Sequence, residues 1–379
     1  MRIPLTRAAI APGTAARIAA VLESRHLAGD GPVCRSVETT LEAELAVRHA
    51  LLTTSCSSAL ELALMLVAGV RAGGGEVVLP SFTFSASANA VLRADLRPVF
   101  AEIDPRTMNL DPADVAQRIT PRTRAIVPVH YAGVACKMDA LAELAGERIA
   151  IVEDAAHAIG ARWRGRALGT IGAVGCLSFH ESKNLVCGEG GALLTNDDAL
   201  AERAEIIREK GTNRLQMLRG QVDKYTWMDV GSSFVLAEPL AAILAAQLEI
   251  FAALQCRRRE LFQRFQAGLL PLAERGLLTL PEVPPDCETN FHLYHVILPT
   301  VKHRDGLMQH LRERGIGAAF HYLPLHTAPV GRRLGWKAGD LPTTEAYAAR
   351  LLRLPLYPDL QAPEQDEIIG EVAAWAATV

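Results

Sequence analysis

Short apolar runs that favour β-strands alternate with helical patterns up to about residue 237, and this alternation constrains the fold more than any other feature. The strand-like runs lie at residues 76–79, 125–129 and 149–152, and helical patterns occur at residues 140–145 and 199–208. Strands that alternate with helices pack into a largely parallel sheet covered by helices. The sequence therefore predicts an α/β architecture with a largely parallel sheet.

Two amphipathic helices are predicted before the first of these strands. Their apolar residues are Ala15, Ile18, Ala19 and Leu22 in the first, with Thr14 as its N-cap, and Val37, Leu41 and Leu45 in the second. Apolar residues three and four positions apart share one face of a helix, and threonine is a favourable N-cap residue.

The pattern changes after Ala237 and predicts a second, smaller α+β domain. A long helix-forming stretch covers residues 240–265, and three prolines at positions 281, 284 and 285 mark a linker. Beyond it come strand-like residues 291–298 and 318–322, with helical patterns at 304–314, 346–352 and 364–375. The predicted domains are residues 1–250 and residues 251–379.

Composition excludes several classes of protein. The 379 residues include 39 Lys and Arg and 42 Asp and Glu, and the net charge of −3 provides no positive field for nucleic acid. The seven cysteines form no C-x-x-C pair, which favours free thiols over a disulfide framework or a zinc site. The apolar stretch at residues 60–70 is interrupted by Glu61, and the first residues lack a signal-peptide pattern. We therefore expect a cytoplasmic protein that binds neither membranes nor nucleic acid.

Common catalytic motifs are missing from the sequence. It contains no G-x-x-x-x-G-K-[ST], H-E-x-x-H or G-x-S-x-G, and its glycines do not follow dinucleotide-binding spacing. This excludes P-loop enzymes, zincins, serine hydrolases of that type and ordinary Rossmann dehydrogenases.

A hydroxyl-rich segment at residues 53–58, Thr-Thr-Ser-Cys-Ser-Ser, leads directly into an apolar helical stretch over residues 60–70. Free amides at a helix N-terminus beside hydroxyl groups can bind a phosphate. The alternative is an ordinary N-cap, since serine and threonine are preferred there.

A strand-like run at residues 149–152 ends in acidic residues, with Asp154 at its carboxyl end. Ligands of open parallel sheets bind at the carboxyl ends of strands, so this carboxylate is a candidate site residue. Read alone, Asp154 serves equally well as a cap of the following turn.

The third segment carries a lysine in a polar loop. Residues 176–185, Cys-Leu-Ser-Phe-His-Glu-Ser-Lys-Asn-Leu, are followed by a glycine-rich stretch at 188–191 and a further apolar run. Only six of the 39 basic residues are lysines, so Lys183 is a candidate for chemistry that arginine cannot perform, such as imine formation. The alternative is a surface charge.

These three features together match the needs of pyridoxal 5′-phosphate. This cofactor requires a clamp for its phosphate, an acid that keeps its ring nitrogen protonated, and an amine that holds its aldehyde. The combination is much more specific than any one of its parts.

The same segments resemble the sugar-nucleotide aminotransferases of the DegT/DnrJ/StrS type. The resemblance extends over essentially the whole chain and is carried by residues 80–84, 153–157, 178–183, 188–191 and 354–357. It implies a type I, aspartate aminotransferase-like fold, with a mostly parallel mixed sheet in the large domain and a smaller C-terminal α+β domain. It also implies a homodimer with shared active sites.

The resemblance further implies a role for individual residues. Lys183 would bind the cofactor aldehyde and move protons, and Asp154 would pair with the ring nitrogen. Phe84 and His157 would pack on the two ring faces; core packing is the alternative for both. Ser57, Ser178 and the backbone amide of Cys56 would hold the phosphate. Ser233 stands where the family often has an asparagine that reaches the phosphate of the partner subunit.

Residues 129–136 and 220–227 resemble a subgroup of dTDP-4-amino-4,6-dideoxygalactose transaminases. This implies transfer of an amino group from L-glutamate to C4 of a dTDP-4-keto-6-deoxyhexose. Candidate substrate contacts are Arg214, Arg219 and Lys224 for the diphosphate, and Tyr131 and His326 for the sugar. The alternatives are another carbon or nucleotide, and a non-catalytic binding protein; a sugar dehydratase is disfavoured because such relatives carry histidine in place of Lys183.

Overall fold

The computed structural model describes residues 1–68 and 74–378. Its helices are Thr14–Ser24 (α1), Pro32–Leu45 (α2), Cys56–Ala68 (α3), Ser85–Arg93 (α4), Pro112–Arg118 (α5), Met138–Ala145 (α6), Asp198–Arg208 (α7), Arg214–Leu218 (α8), Glu238–Glu249 (α9), Phe251–Glu274 (α10), Val301–Glu313 (α11), Pro329–Arg333 (α12), Pro342–Arg350 (α13) and Ala362–Ala376 (α14). Its strands are His49–Thr53 (β1), Glu76–Pro80 (β2), Arg97–Ala101 (β3), Thr123–Ile126 (β4), Ala150–Asp154 (β5), Arg162–Trp163 (β6), Arg166–Ala167 (β7), Val174–Ser178 (β8), Gly191–Thr195 (β9), Cys287–Glu288 (β10), Tyr294–Ile297 (β11) and Leu351–Leu354 (β12).

A seven-stranded sheet forms the centre of the molecule, in the order β1-β9-β8-β5-β4-β2-β3. The pairings from β8 through β5, β4 and β2 to β3 are parallel. Strand β9 is antiparallel to both β8 and β1. Every residue of β2, β8 and β9 is buried, as expected for strands covered by helices on both faces. The predicted α/β class with a mostly parallel sheet is confirmed.

A separate apolar core forms in the C-terminal part of the chain. It includes Phe265 of α10, Tyr294 of β11 and Val372 of α14, and Ile3 from the start of the chain packs into it. Helices α9 and α10 meet at Ile250 with a bend of 64°. We propose that the chain divides into two domains near this bend, with the first residues packed against the C-terminal domain.

Two details of the predicted first helix are wrong. The N-cap is Gly13, with φ +77°, and Thr14 is the first helical residue, its hydroxyl donating to the carbonyl of Ala11. The buried face is formed by Thr14 and Val21, whereas Leu22 is exposed. Alanine-rich periodicity marked a helix here but not its buried side. In α2, by contrast, the predicted residues Val37, Leu41 and Leu45 are all buried.

The C-terminal predictions need three corrections. The stretch 240–265 is divided between α9 and α10 rather than forming one helix. Residues 318–322 form no strand, only a bridge from Ala319 to Arg353. Leu351 and Leu352, predicted as helical, begin strand β12, because pairing with β11 outweighs the local helical pattern. The helix predicted over residues 60–70 corresponds to α3, and its last two residues lie outside the described part.

Within the described residues, no single helix is long and apolar enough to cross a membrane. Helices α9 and α10 together are long and apolar enough to cross a membrane, but they are bent by 64° relative to each other.

Candidate active site

A cavity of about 690 Å³ lies where strands β5 and β8 end and helix α3 begins. Strands β5 and β8 are parallel neighbours, so their carboxyl ends meet at one edge of the sheet. Seven of the eight site residues predicted from the sequence line this cavity, namely Cys56, Ser57, Phe84, Asp154, His157, Ser178 and Lys183.

Asp154 is the last residue of β5, and its carboxylate is held in place from two sides. The hydroxyl of Ser87, on α4, donates to Oδ2 at 2.8 Å, and the backbone N–H of Ala156 donates to Oδ1 at 3.2 Å. Thr83 in turn lies 2.9 Å from the Ser87 hydroxyl. Burial raises the pKa of Asp154, and the Ser87 hydrogen bond opposes this shift. The side chain is therefore a fixed, buried acid that faces the cavity.

Lys183 lies in the loop between β8 and β9. The loop is closed by backbone hydrogen bonds, from Phe179 N to Gly190 O at 2.8 Å and from Lys183 N to His180 O at 2.9 Å. Burial lowers the pKa of Lys183 from 10.5 to about 8, and Asp154 acts in the opposite direction. A larger share of this amine is consequently uncharged at neutral pH than for an exposed lysine.

The first turn of α3 forms another wall of the cavity. The N–H groups of Ser58 and Ala59 donate to the hydroxyl and the carbonyl of Ser55, which leaves those of Cys56 and Ser57 without a partner in the helix, beside the Ser57 side chain. The Cys56 thiol points away, 3.7 Å from the carbonyl of Cys176. A Cβ on Gly191 would lie 2.5 Å from the backbone nitrogen of Cys56. Glycine at the start of β9 thus lets α3 approach the sheet and form a cradle for an anion.

Two rings flank the site. His157 accepts a hydrogen bond at Nδ1 from the backbone N–H of Ala132 at 3.3 Å, and burial holds the pKa of His157 far below its usual value. It is therefore a neutral ring with the proton on Nε2, 3.4 Å from the hydroxyl of Tyr322. Phe84 lies at the mouth of the cavity, and 61% of its surface is exposed.

The donor set of this cavity fits pyridoxal 5′-phosphate. A helix N-terminus with hydroxyl groups suits its phosphate, a buried carboxylate suits its ring nitrogen, and an amine with a lowered pKa suits its aldehyde. All three groups line one cavity that is large enough for such a ligand.

Comparison with known proteins identifies the family. The model of the DegT/DnrJ/EryC1/StrS aminotransferase family matches residues 9–373. The chain belongs to this family. It is a sugar aminotransferase that depends on pyridoxal phosphate, as the sequence predicted.

Similar proteins cover almost the whole aminotransferase. The dTDP-3-amino-3,4,6-trideoxy-alpha-D-glucose transaminase of Streptomyces venezuelae is 38% identical over 97% of this chain and 93% of its own length. The crystal structure of S. venezuelae DesV is 37% identical, with a TM-score of 0.87 over 97% of this chain and 95% of its own. The aminotransferase TlmJ from Streptoalloteichus hindustanus is 33% identical, with a TM-score of 0.89 over 99% of both chains. The predicted type I fold is confirmed.

Several predicted contacts of this aminotransferase lie away from the cavity. Ser233 is exposed and forms a backbone bridge with Glu209. Arg219 pairs with Glu205, and Arg214 lies 4.0 Å from Glu209. Lys224 is exposed and does not line the cavity.

The two residues predicted to contact the sugar are buried instead. The hydroxyl of buried Tyr131 and Nδ1 of His321 form a hydrogen bond of 3.1 Å. His326 is held between the Ser81 hydroxyl at 2.7 Å and Glu345 at 2.9 Å. Neither lines the cavity, and their contact with the sugar stays a prediction that this geometry does not support.

Sequence reasoning missed three side chains at the site. Ser87 holds Asp154, and His292 and Arg353 line the cavity from the C-terminal part of the chain. Arg353 directly precedes the Leu-Pro-Leu-Tyr motif at residues 354–357. The position of Arg353 next to this motif is the sequence feature that could have indicated its role. Its place at the cavity, however, depends on the pairing of β12 with β11.

Proposed function

We propose that this aminotransferase transfers an amino group from L-glutamate to C4 of a dTDP-4-keto-6-deoxyhexose, with dTDP-4-amino-4,6-dideoxygalactose and 2-oxoglutarate as products. The observation that carries amino transfer is that Lys183 and Asp154 line one cavity beside an anion cradle. The choice of C4 rests on the subgroup resemblance at residues 129–136 and 220–227.

Each group in the cavity has a proposed task. Ser57, Ser178 and the backbone amide of Cys56 hold the phosphate, and Asp154 pairs with the ring nitrogen. His157 and Phe84 pack against the ring faces, and the Lys183 amine binds the aldehyde. When bound, pyridoxal 5′-phosphate accepts the electron pair released at a substrate carbon and stores the amino group between the two half-reactions.

The protein's side chains set the charges around the cofactor and move protons. Asp154 is fixed by Ser87, so its carboxylate stays oriented toward the ring nitrogen. Lys183, with its pKa lowered to about 8, takes a proton from the donor Cα and returns one to the sugar carbon. Neutral His157 adds no positive charge beside this amine.

Amino transfer to C3 is the second candidate, because the 38%-identical relative from S. venezuelae is named for a 3-amino sugar. A panel of dTDP- and UDP-linked 3-keto and 4-keto sugars, each incubated with L-glutamate and cofactor, tests both. We expect turnover with the dTDP-4-keto sugar and an amino group at C4 by NMR. An amino group at C3 would contradict the assignment of C4, and turnover confined to UDP sugars would contradict the assignment of dTDP.

We also propose a homodimer in which Ser233 acts on the phosphate site of the partner. Phe84 remains exposed at the cavity mouth, and Tyr225, Trp227 and Met228, a few residues before Ser233, are exposed as well. A partner that covers these side chains would bury apolar surface and close the site. The cytoplasmic location and the lack of nucleic-acid binding stay predictions from the sequence.

A further inference from the structure

Arg353 enters the cavity from strand β12, on the side formed by the C-terminal part of the chain. Its backbone is fixed by pairing with His295 of β11 and by a 2.8 Å hydrogen bond from its N–H to the carbonyl of Ala319. The guanidinium therefore starts from a rigid strand rather than from a loop. Lys183 and Arg353 are the two Lys or Arg side chains of the described residues that line the cavity.

The guanidinium has little to bind within the described part of the chain. Its Nε is buried and makes no hydrogen bond, and its Nη1 lies 3.5 Å from Nε2 of His321. No acidic side chain of the described residues forms an ion pair with it. Arg353 as a whole is half-buried, but a guanidinium whose Nε is removed from water without a hydrogen-bond partner is unfavourable. This corner of the cavity thus presents a guanidinium with free hydrogen-bond donors.

The neighbouring side chains of the cavity provide no counter-ion for this guanidinium. His157, His292 and His321 are imidazoles, which carry no negative charge, and burial lowers their pKa values so that they add no positive charge either. Burial raises the pKa of Tyr322, so its hydroxyl stays protonated. The Asp154 carboxylate is already held by Ser87 and the Ala156 amide. Within the described chain the Arg353 guanidinium therefore has no acidic partner and is free to bind a carboxylate that enters the cavity.

We propose that Arg353 binds a carboxylate of the amino donor and makes the cavity selective for an amino acid donor. The inference rests on the proposed amino transfer from L-glutamate, which carries two carboxylates. The planar guanidinium fork matches a carboxylate with two parallel hydrogen bonds. The phosphate cradle at α3 is built from uncharged amides and hydroxyls, which leaves this arginine for the second anion.

The first test measures binding rather than turnover. The cofactor-loaded enzyme is titrated with 2-oxoglutarate by calorimetry, for the parent protein and for Arg353→Met, Arg353→Lys and Arg350→Met. Arg350, three residues earlier, bonds the carbonyl of Ala346 and does not line the cavity, so it is the matched control. We expect affinity to fall about 10- to 100-fold in Arg353→Met, less in Arg353→Lys, and not in Arg350→Met. Unchanged affinity in Arg353→Met would overturn the proposal.

The second test separates the donor from the sugar. Single-turnover measurements follow the glutamate half-reaction without any sugar, and then the keto-sugar half-reaction of the aminated enzyme. Arg353→Met should weaken the apparent affinity for glutamate by the same factor and affect the sugar step much less. Equal losses in both halves, or a loss confined to the sugar step, would overturn the proposal. Retained cofactor absorbance and an unchanged melting temperature show that the variant is folded.

Comparison of L-glutamate with L-glutamine identifies which carboxylate is bound. A loss in Arg353→Met with both donors points to the α-carboxylate, and a loss with glutamate alone points to the side-chain carboxylate. If the parent enzyme does not react with glutamate, the proposed function fails. If it reacts and Arg353→Met binds 2-oxoglutarate normally, only this inference fails.

Discussion

Burial controls the charge of the Lys183 amine, and a pH titration of its reactivity tests this directly. With a pKa of about 8, the amine of the cofactor-free enzyme should gain reactivity toward acetic anhydride as the pH rises, reach half of its maximum near pH 8 and level off about two pH units higher. Deprotonation is required because only the neutral amine is nucleophilic. Peptide mapping by mass spectrometry measures acetylation of Lys183 at each pH.

Exposed Lys302, at the start of α11, is the internal comparison. The acetylation of Lys183 relative to Lys302 should be greatest near neutral pH and decline in more alkaline solution. Parallel pH profiles for the two lysines would show that the cavity does not lower the pKa of the Lys183 amine.

At the scale of single elements, the first turn of α3 is the expected phosphate site. Ser57→Ala removes one hydroxyl from that turn, and we expect about 10-fold weaker binding of pyridoxal 5′-phosphate. Binding of pyridoxal, which has no phosphate, should be unchanged. Fluorescence titration of the cofactor-free enzyme measures both affinities.

Ser58→Ala is the matched control for this prediction. Ser58 bonds the hydroxyls of Thr54 and Ser55 at 2.8 and 3.1 Å and does not line the cavity. Loss of these hydroxyl hydrogen bonds should lower the free energy of unfolding by about 1 kcal/mol without changing the preference for the phosphorylated cofactor. An equal loss of pyridoxal and pyridoxal phosphate binding in Ser57→Ala would argue against a phosphate cradle.

Arg208, at the end of α7, ties α2 and β1 to the rest of the large domain. Its guanidinium bonds Asp30 at 2.6 Å, Glu38 at 2.8 Å and the carbonyl of Leu52 at 2.9 Å. Arg208→Met removes the counter-ion of two largely buried carboxylates, of which Glu38 keeps only the Leu52 N–H as a donor, and we expect the free energy of unfolding to fall by about 3–5 kcal/mol. Urea denaturation at neutral pH measures the change.

Arg219→Met provides the control, because its exposed pair with Glu205 on α7 should contribute less than about 1 kcal/mol. Burial already raises the pKa of Asp30 and Glu38, and removal of Arg208 raises both pKa values further. The stability deficit of Arg208→Met should therefore shrink as the pH is lowered and the carboxyl groups take up protons. A deficit that is small at neutral pH would contradict the role of this cluster.

The sequence predicts those parts of the site that follow from local pattern. Asp154 and Ser178 end buried strands, and Ser57 lies in the first turn of a helix, so the rules for parallel sheets place them at one edge. Arg353 could not be placed in this way, because its strand forms only by pairing with β11. The same non-local pairing explains why Leu351 and Leu352 were predicted as helical. Residues 318–322 have a strand-like pattern, but they pair with β12 only through the bridge from Ala319 to Arg353, so no strand forms.

At the scale of the whole molecule, we expect two chains to associate, and this association would complete the active site. Trp227 exposes 76% of its surface, and Met228 and Val230 beside it are exposed too. Trp227→Asp should weaken self-association at least about 10-fold and reduce activity at low protein concentration. Light scattering coupled to size exclusion gives the mass.

Val301→Asp changes another exposed apolar residue, on α11 in the C-terminal part, and should leave the mass unchanged. A parent protein with the mass of one chain at all concentrations would contradict the proposed dimer. So would an unchanged association constant in Trp227→Asp.

The central claim is that the amine of Lys183 holds the cofactor and gives it up to the amino donor. Borohydride reduction of the loaded enzyme, followed by peptide mapping, tests it most directly. The account predicts the cofactor mass on Lys183 and on none of the other five lysines, with loss of this label when excess L-glutamate is added before reduction. Cofactor mass on a different lysine, or a label that glutamate does not remove, would contradict it.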